Sequence, residues 1–193
     1  MILMLAACST KQPTFLKISE PQIRRNIIGL SILPPPGDGW HYKAVSPARI
    51  EFGKLRTNEI QSLVASAVAH KIPTSESENG FLLKISEERR RDTKSNSRYK
   101  DLLIEEDISH EKESLCVRYH TKYEDHGSKY LSKQIPFFIV EDIGLICRHP
   151  ENYNVGISIG ISQRAEPNKL LQNFESLANA FLSGAKFETL PTE

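Results

Sequence analysis

Between Val155 and Gln163 the chain alternates with period two, with Val155, Ile157, Ile159 and Ile161 on one side and Gly156, Ser158 and Gly160 on the other. Branched apolar residues at every second position suit the pleat of a strand with one buried face; the stripe of a helix repeats every 3.6 residues and is not met here. The small residues on the reverse side leave room for another backbone to approach. Such a segment needs an apolar layer over its isoleucine face, and this need constrains everything around it.

The same period recurs upstream. Trp40, Tyr42 and Ala44 alternate and lead to Ile50 and Phe52, while Leu63, Ala65, Ala67 and Ala69 interleave with Ser62, Val64, Ser66 and Val68 in the manner of a strand buried on both faces. Further strand runs are read over residues 99–108, 114–124 and 137–148. Two segments switch to helical spacing. Ser77 is placed to cap a helix whose apolar face is Phe81, Leu82 and Ile85 and whose second half, Glu87 to Asp92, has the charge pattern of a solvated face. A final helix starts at Pro167-Asn168, carries Leu170, Leu171, Phe174, Leu177, Ala178, Phe181 and Leu182, and stops at a left-handed Gly184. These elements predict an α+β fold, a mainly antiparallel sheet with a mid-chain helix and a C-terminal helix packed on it. The architecture is similar to the PsbP-like fold, a likeness that by itself carries no function.

Residues 36–190 are expected to form a single domain, preceded by a tether over 8–35 that ends in the stiff step Pro34-Pro35-Pro36-Gly37-Asp38-Gly39. The patch Ile23, Ile27, Ile28, Leu30 and Ile32 is expected to rest on the domain. The 25 Lys and Arg residues nearly balance 24 Asp and Glu, for a net charge of +1, which argues against a nucleic-acid partner, since such binders carry a basic face. No motif calls for a cofactor. The G-x-S-x-G elbow, the P-loop and H-E-x-x-H are all missing, so no enzyme is expected. The dense polar clusters left for a partner are Glu124-Asp125-His126 and Glu87 to Arg91.

Cysteine placement carries the strongest chemistry. If residues 114–124 and 137–148 form a hairpin with its loop near Tyr130-Leu131-Ser132, residues whose numbers sum to 263 stand opposite each other, which sets Cys116 against Cys147. Such a cross-strand pair is close enough for a disulfide. A reducing compartment would instead leave two buried thiols. A third reading takes Cys116, His120, Cys147 and His149 as a cross-strand zinc set, although structural zinc sites draw on C-x2-C or H-x3-H turns and none is present. A nucleophilic Cys147 beside His149 is disfavoured, because residues two apart on one strand face stand about 6–7 Å apart.

The N-terminal Leu5-Ala6-Ala7-Cys8, followed by Ser9-Thr10, resembles a bacterial lipobox. Residues 1–7 carry no Lys or Arg and are read as the remnant of a lipoprotein signal peptide. The resemblance implies lipidation of Cys8, anchorage to a membrane through that lipid, and a place in the cell envelope facing the periplasm; Ser9 after the cysteine resembles lipoproteins sent to the outer membrane in a Gram-negative cell. The segments Pro34 to Trp40, Cys116-Val117-Arg118-Tyr119 with Glu124-Asp125-His126-Gly127, and Cys147-Arg148-His149-Pro150 resemble a group of uncharacterised bacterial lipoprotein-like proteins. That likeness implies an exported lipoprotein with Cys116 and Cys147 paired, acting as a binding or scaffold module with an envelope protein as partner. The alternative is a hydrolase or metal-handling periplasmic protein.

Overall fold

The alternating segments pair edge to edge into one antiparallel sheet. The computed structural model describes residues 15–55, 61–94 and 98–191. In chain order the elements are β1 (Leu16–Lys17), β2 (Arg25–Ile27), β3 (Leu30–Ile32), β4 (His41–Ser46), β5 (Arg49–Leu55), β6 (Ser62–Lys71), α1 (Glu78–Lys94), β7 (Tyr99–Glu111), β8 (Ser114–Asp125), β9 (Phe138–His149), β10 (Asn152–Ala165), α2 (Phe174–Ser183) and β11 (Ala185–Phe187). Eight strands form the main sheet in the order β1-β4-β5-β6-β10-β9-β8-β7, and β11-β3-β2 form a second, small sheet. The protein is thus a mostly antiparallel α+β structure.

Pleating sorts the side chains of the main sheet onto two faces. The isoleucines of β10 (Ile157, Ile159 and Ile161) point to the same side as Leu63, Ala65 and Ala67 of β6 and Ile143 and Leu145 of β9. Phe174, Ala178, Phe181 and Leu182 of α2 cover them, with Phe181 set edge-on to Phe52 at 5.9 Å between ring centres. The small sheet joins this core through Ile27, Leu30, Ile32 and Ala185. On the reverse face, Phe81 and Ile85 of α1 pack on Val117, Tyr119 and Ile146. Ser77 caps α1, its hydroxyl accepting the Gly80 N–H at 3.1 Å.

Three expectations are corrected. Residues 8–35 are not a tether throughout: β1 pairs with β4, β2 and β3 form a hairpin, and Leu30 and Ile32 are fully buried. The α2 helix begins at Phe174, several residues after Pro167, because the intervening backbone is claimed by side chains. Gln163 accepts the Leu171 N–H at 2.9 Å, and Gln61 donates to the Lys169 carbonyl at 2.8 Å. Gly184 ends the helix in a right-handed conformation (φ −69°) that feeds straight into β11. Glycine is used there for space, since a Cβ would sit 3.1 Å from the Phe181 carbonyl and 3.2 Å from Leu33 Cβ. A fourth difference concerns β6: its reverse face is not covered, and Val64 is 47% exposed.

Along β8 and β9 the opposed residues sum to 263 from end to end, so Cys116 stands opposite Cys147, and a disulfide joins them. Both cysteines are buried beneath the α2 layer. The bond closes a segment with a sequence separation of 31. In the chain-entropy model a loop of this size stabilises a domain by about 3–4 kcal/mol. The double variant Cys116→Ala/Cys147→Ala should therefore melt roughly 10 °C below the parent, and a reducing agent should lower the parent to the same temperature while leaving the variant unmoved. Equal melting of oxidised parent and variant would refute a structural role for the bond.

Candidate functional site

On the reverse face, the register builds a polar cleft between α1 and strands β7 to β9. Glu106 stands opposite Tyr119, Tyr119 opposite Gly144, and Gly144 opposite Gly160. Without side chains at 144 and 160, the Tyr119 phenol can lie across the next two strands; a Cβ at either position would collide with its oxygen. The Gly160 of the isoleucine strand therefore admits a side chain where the sequence pointed to a second backbone. Arg89 of α1 stacks on the Tyr119 ring, 3.4 Å from its centre. It donates to Glu106 at 3.1 Å, and Arg90 donates to the other oxygen of Glu106 at 3.2 Å. One row along, Ile104, Thr121 and Asp142 stand side by side, and Asp101 stands opposite Tyr123.

These groups line a cleft of about 310 Å³. Glu106 is consumed by two arginines, which leaves Asp101 and Asp142 as the carboxyls facing the cavity; no protein hydrogen bond reaches that of Asp142 among the described residues. Burial pushes Asp142 up to about 6, while Arg89 and His120 pull the other way. Burial likewise raises Tyr123, to about 12, and raises Tyr119, so both phenols stay protonated and can donate. The Tyr123 phenol and an acid with a tuned charge can hold a small polar ligand. No Cys, Ser or His lines this cleft among the described residues.

The other polar centre, on the α2 side, is a satisfied network. His120 bonds Glu141 at 2.8 Å, Lys122 pairs with Glu141 at 3.2 Å, and Gln163 donates to the second Glu141 oxygen at 2.8 Å. These hydrogen bonds and the Lys122 charge hold Glu141 below the usual carboxylate range against the opposing effect of burial.

The residues singled out in the sequence fall as follows. Cys8 lies outside the described residues. The zinc alternative of Cys116, His120, Cys147 and His149 is overturned. Both sulfurs are used in the disulfide, and His120, at the middle of the ladder, is engaged by Glu141. Nε2 of His149 lies 3.2 Å from the Gly29 carbonyl and 3.1 Å from that of Glu188, so it carries the proton, and Nδ1 accepts the Glu151 N–H at 3.2 Å. Neither ring nitrogen is left for a metal. Among the described residues no group of three or more His, Cys, Asp or Glu is arranged to hold an ion.

Asp125 is likewise no partner surface. Its side chain is 2% exposed and is gripped by Arg98, by Arg164 at 2.8 Å and by the Gly127 N–H at 3.0 Å. Those contacts, Arg98 first, hold its carboxyl well below the ordinary range. Of the Glu87 to Arg91 run, Arg89 turns inward to Glu106, and Arg90 reaches the same carboxylate while staying about half exposed. Tyr119 and Asp142 were not picked out from the sequence. Their signal was there: an aspartate inside the apolar run Phe137 to Cys147, and a tyrosine set by the hairpin register against a glycine.

No family model matches the chain, and no curated protein matches it in sequence. Solved structures do match in fold. Cyanobacterial PsbP from Synechocystis sp. PCC 6803 superposes with a TM-score of 0.52 at 14% identity, over 93% of this chain and 96% of that one. LpqN of Mycobacterium tuberculosis, a protein involved in cell envelope biogenesis, gives a TM-score of 0.50 at 11% identity, over 92% of this chain and 91% of its own. The chain has a PsbP-like fold.

The raised acid in the cleft has a measurable sign. A carboxyl that is harder to ionise when folded holds its proton more tightly in the native state, so Asp142 costs stability as pH rises from about 4 to about 6. Asp142→Asn is uncharged throughout. It should melt above the parent at pH 7, with the advantage gone by about pH 4. A variant that melts at or below the parent temperature at pH 7 would show that Asp142 is stabilised as an anion.

Proposed function

We propose that this chain is a lipid-anchored module of the bacterial cell envelope, held to a membrane through Cys8 and acting by binding rather than by catalysis. The observation that carries the reading is the buried Cys116–Cys147 disulfide between β8 and β9. Disulfides persist in exported compartments and are rare where thiols are kept reduced. Two further observations support it: the lipobox-like Leu5-Ala6-Ala7-Cys8, and a fold shared with LpqN, a protein involved in cell envelope biogenesis. No helix among the described residues is long and apolar enough to cross a membrane.

Binding is preferred to hydrolysis because the polar groups of the sheet are engaged with one another. Glu106, Glu141 and Asp125 are each held by cationic side chains, and the cleft at Asp142 offers donors and two carboxyls, with no Cys, Ser or His in its lining among the described residues. The partner is read as another envelope protein or a small polar ligand seated at Asp142. The outer membrane is the preferred address in a Gram-negative cell, from Ser9 after the cysteine.

The test is metabolic labelling. Expressed from its natural start in a bacterial host and fed labelled palmitate, the protein should carry the label and fractionate with membranes, and Cys8→Ala should lose the label. An unlabelled parent in the cytosolic fraction, with Cys116 and Cys147 as free thiols, would overturn the reading.

A further inference from the structure

The β1 edge of the main sheet is apolar and cationic at once. Phe15 leads into β1, and its ring leans over Gly53, 3.4 Å from where a Cβ would stand, with the Lys43 ammonium 5.7 Å from the ring centre. Next to it lies a groove of about 350 Å³ lined by Phe15, His41, Gly53, Lys54, Leu63 and Val64. The groove is open: Phe15 is 45%, Leu16 53% and Val64 47% exposed. The α1 helix, which covers Val117 and Tyr119 on the reverse face, lies over β7 and β8 at the other end of the sheet.

Charge and chain position both identify what fits this edge. Lys43 and Lys54 have aromatic rings as partners, Phe15 and Trp40, and neither they nor Lys17 forms an ion pair with a carboxylate among the described residues. An apolar floor beside ammonium groups that form no ion pair among the described residues matches the boundary of an anionic bilayer, with acyl carbon against Phe15 and Val64 and phosphate against the lysines. Seven residue steps separate Cys8 from Phe15. Fully extended they span at most about 25 Å, so a lipid on Cys8 holds this edge, rather than the β7 edge across the sheet, close to the headgroups.

We propose that the β1 end of the sheet, with Phe15, Val64, Lys17, Lys43 and Lys54, is the membrane-facing surface of the protein and binds anionic lipid directly. The orientation rests on the lipid-anchored reading above; the surface itself does not need the anchor. The full chain carrying Cys8→Ala is therefore the protein to test, by co-sedimentation with phosphatidylglycerol-rich vesicles and with pure phosphatidylcholine vesicles. It should partition onto the anionic vesicles, be released as salt is raised, and lose about tenfold in partition coefficient when Phe15→Ser and Val64→Ser are added. Both positions are about half exposed, so the variant should melt close to its parent; salt release measured on the parent tests the lysine contribution without any substitution. Absence of binding, equal binding to neutral vesicles, or binding indifferent to the two substitutions would overturn the proposal. A dimer that the two serines dissolve, with no uptake by vesicles, would overturn it too and assign the edge to a second copy. Palmitate labelling succeeds or fails independently of these outcomes.

Discussion

The pairing of β9 with β10 at the middle of the main sheet buries residues on both sides of the backbone, so the sheet has to be covered twice. Leu145 and Ile143 with Ile157, Ile159 and Ile161 require one apolar layer; Ile146 and the phenol lying over Gly144 and Gly160 require another. The α2 helix with the small sheet meets the first requirement, and α1 meets the second. Each supplies a few large side chains, Phe174, Phe181 and Leu182 on one side and Phe81 and Ile85 on the other, where the central strands would otherwise meet water. The outer strands β4, β5 and β6 lie beyond the reach of α1, and for that reason their reverse face stays open at Val64.

Polar groups that enter this double layer do so in satisfied sets. Asp125 takes two arginines and a main-chain N–H, Glu106 takes Arg89 and Arg90, and Glu141 takes His120, Lys122 and Gln163. Pairing of this kind offsets the cost of bringing a charge out of water. Asp142 departs from the pattern. Its carboxyl has charged neighbours but no protein hydrogen bond among the described residues, and burial wins over Arg89 in setting its protonation. A group left in that condition is where a binding reading finds its footing.

Strands were the most legible part of the sequence because a two-residue period survives in plain composition: 62–69, 114–124 and 155–163 all fall within strands that extend only a few residues further. The β8–β9 register was legible because both strands are long and regular, with one loop to centre. What escaped was whatever depends on contacts far apart in sequence. The three-residue strands β2 and β3 carry too few positions to show a period, and they are strands because β11 pairs with β3 from the other end of the chain. The late start of α2 reflects Gln163 and Gln61 capturing backbone that local spacing offers to a helix. Asp125 read as a surface charge because nothing nearby in sequence reveals that Arg98 and Arg164 converge on it. The cleft escaped for a related reason: Arg89 sits in a run whose pattern is that of a solvated face, and only the tertiary position of α1 turns it onto Tyr119.

The β3–β11 ladder joins residues 30–32 to residues 185–187, and the sulfurs, α2 and the small sheet all lie in the core that this ladder helps to close. A contact between segments so distant in sequence forms late, because the loop entropy of the whole intervening chain must be spent before the contact returns anything. The core therefore cannot be completed by a nascent chain whose last strand is still inside the ribosome.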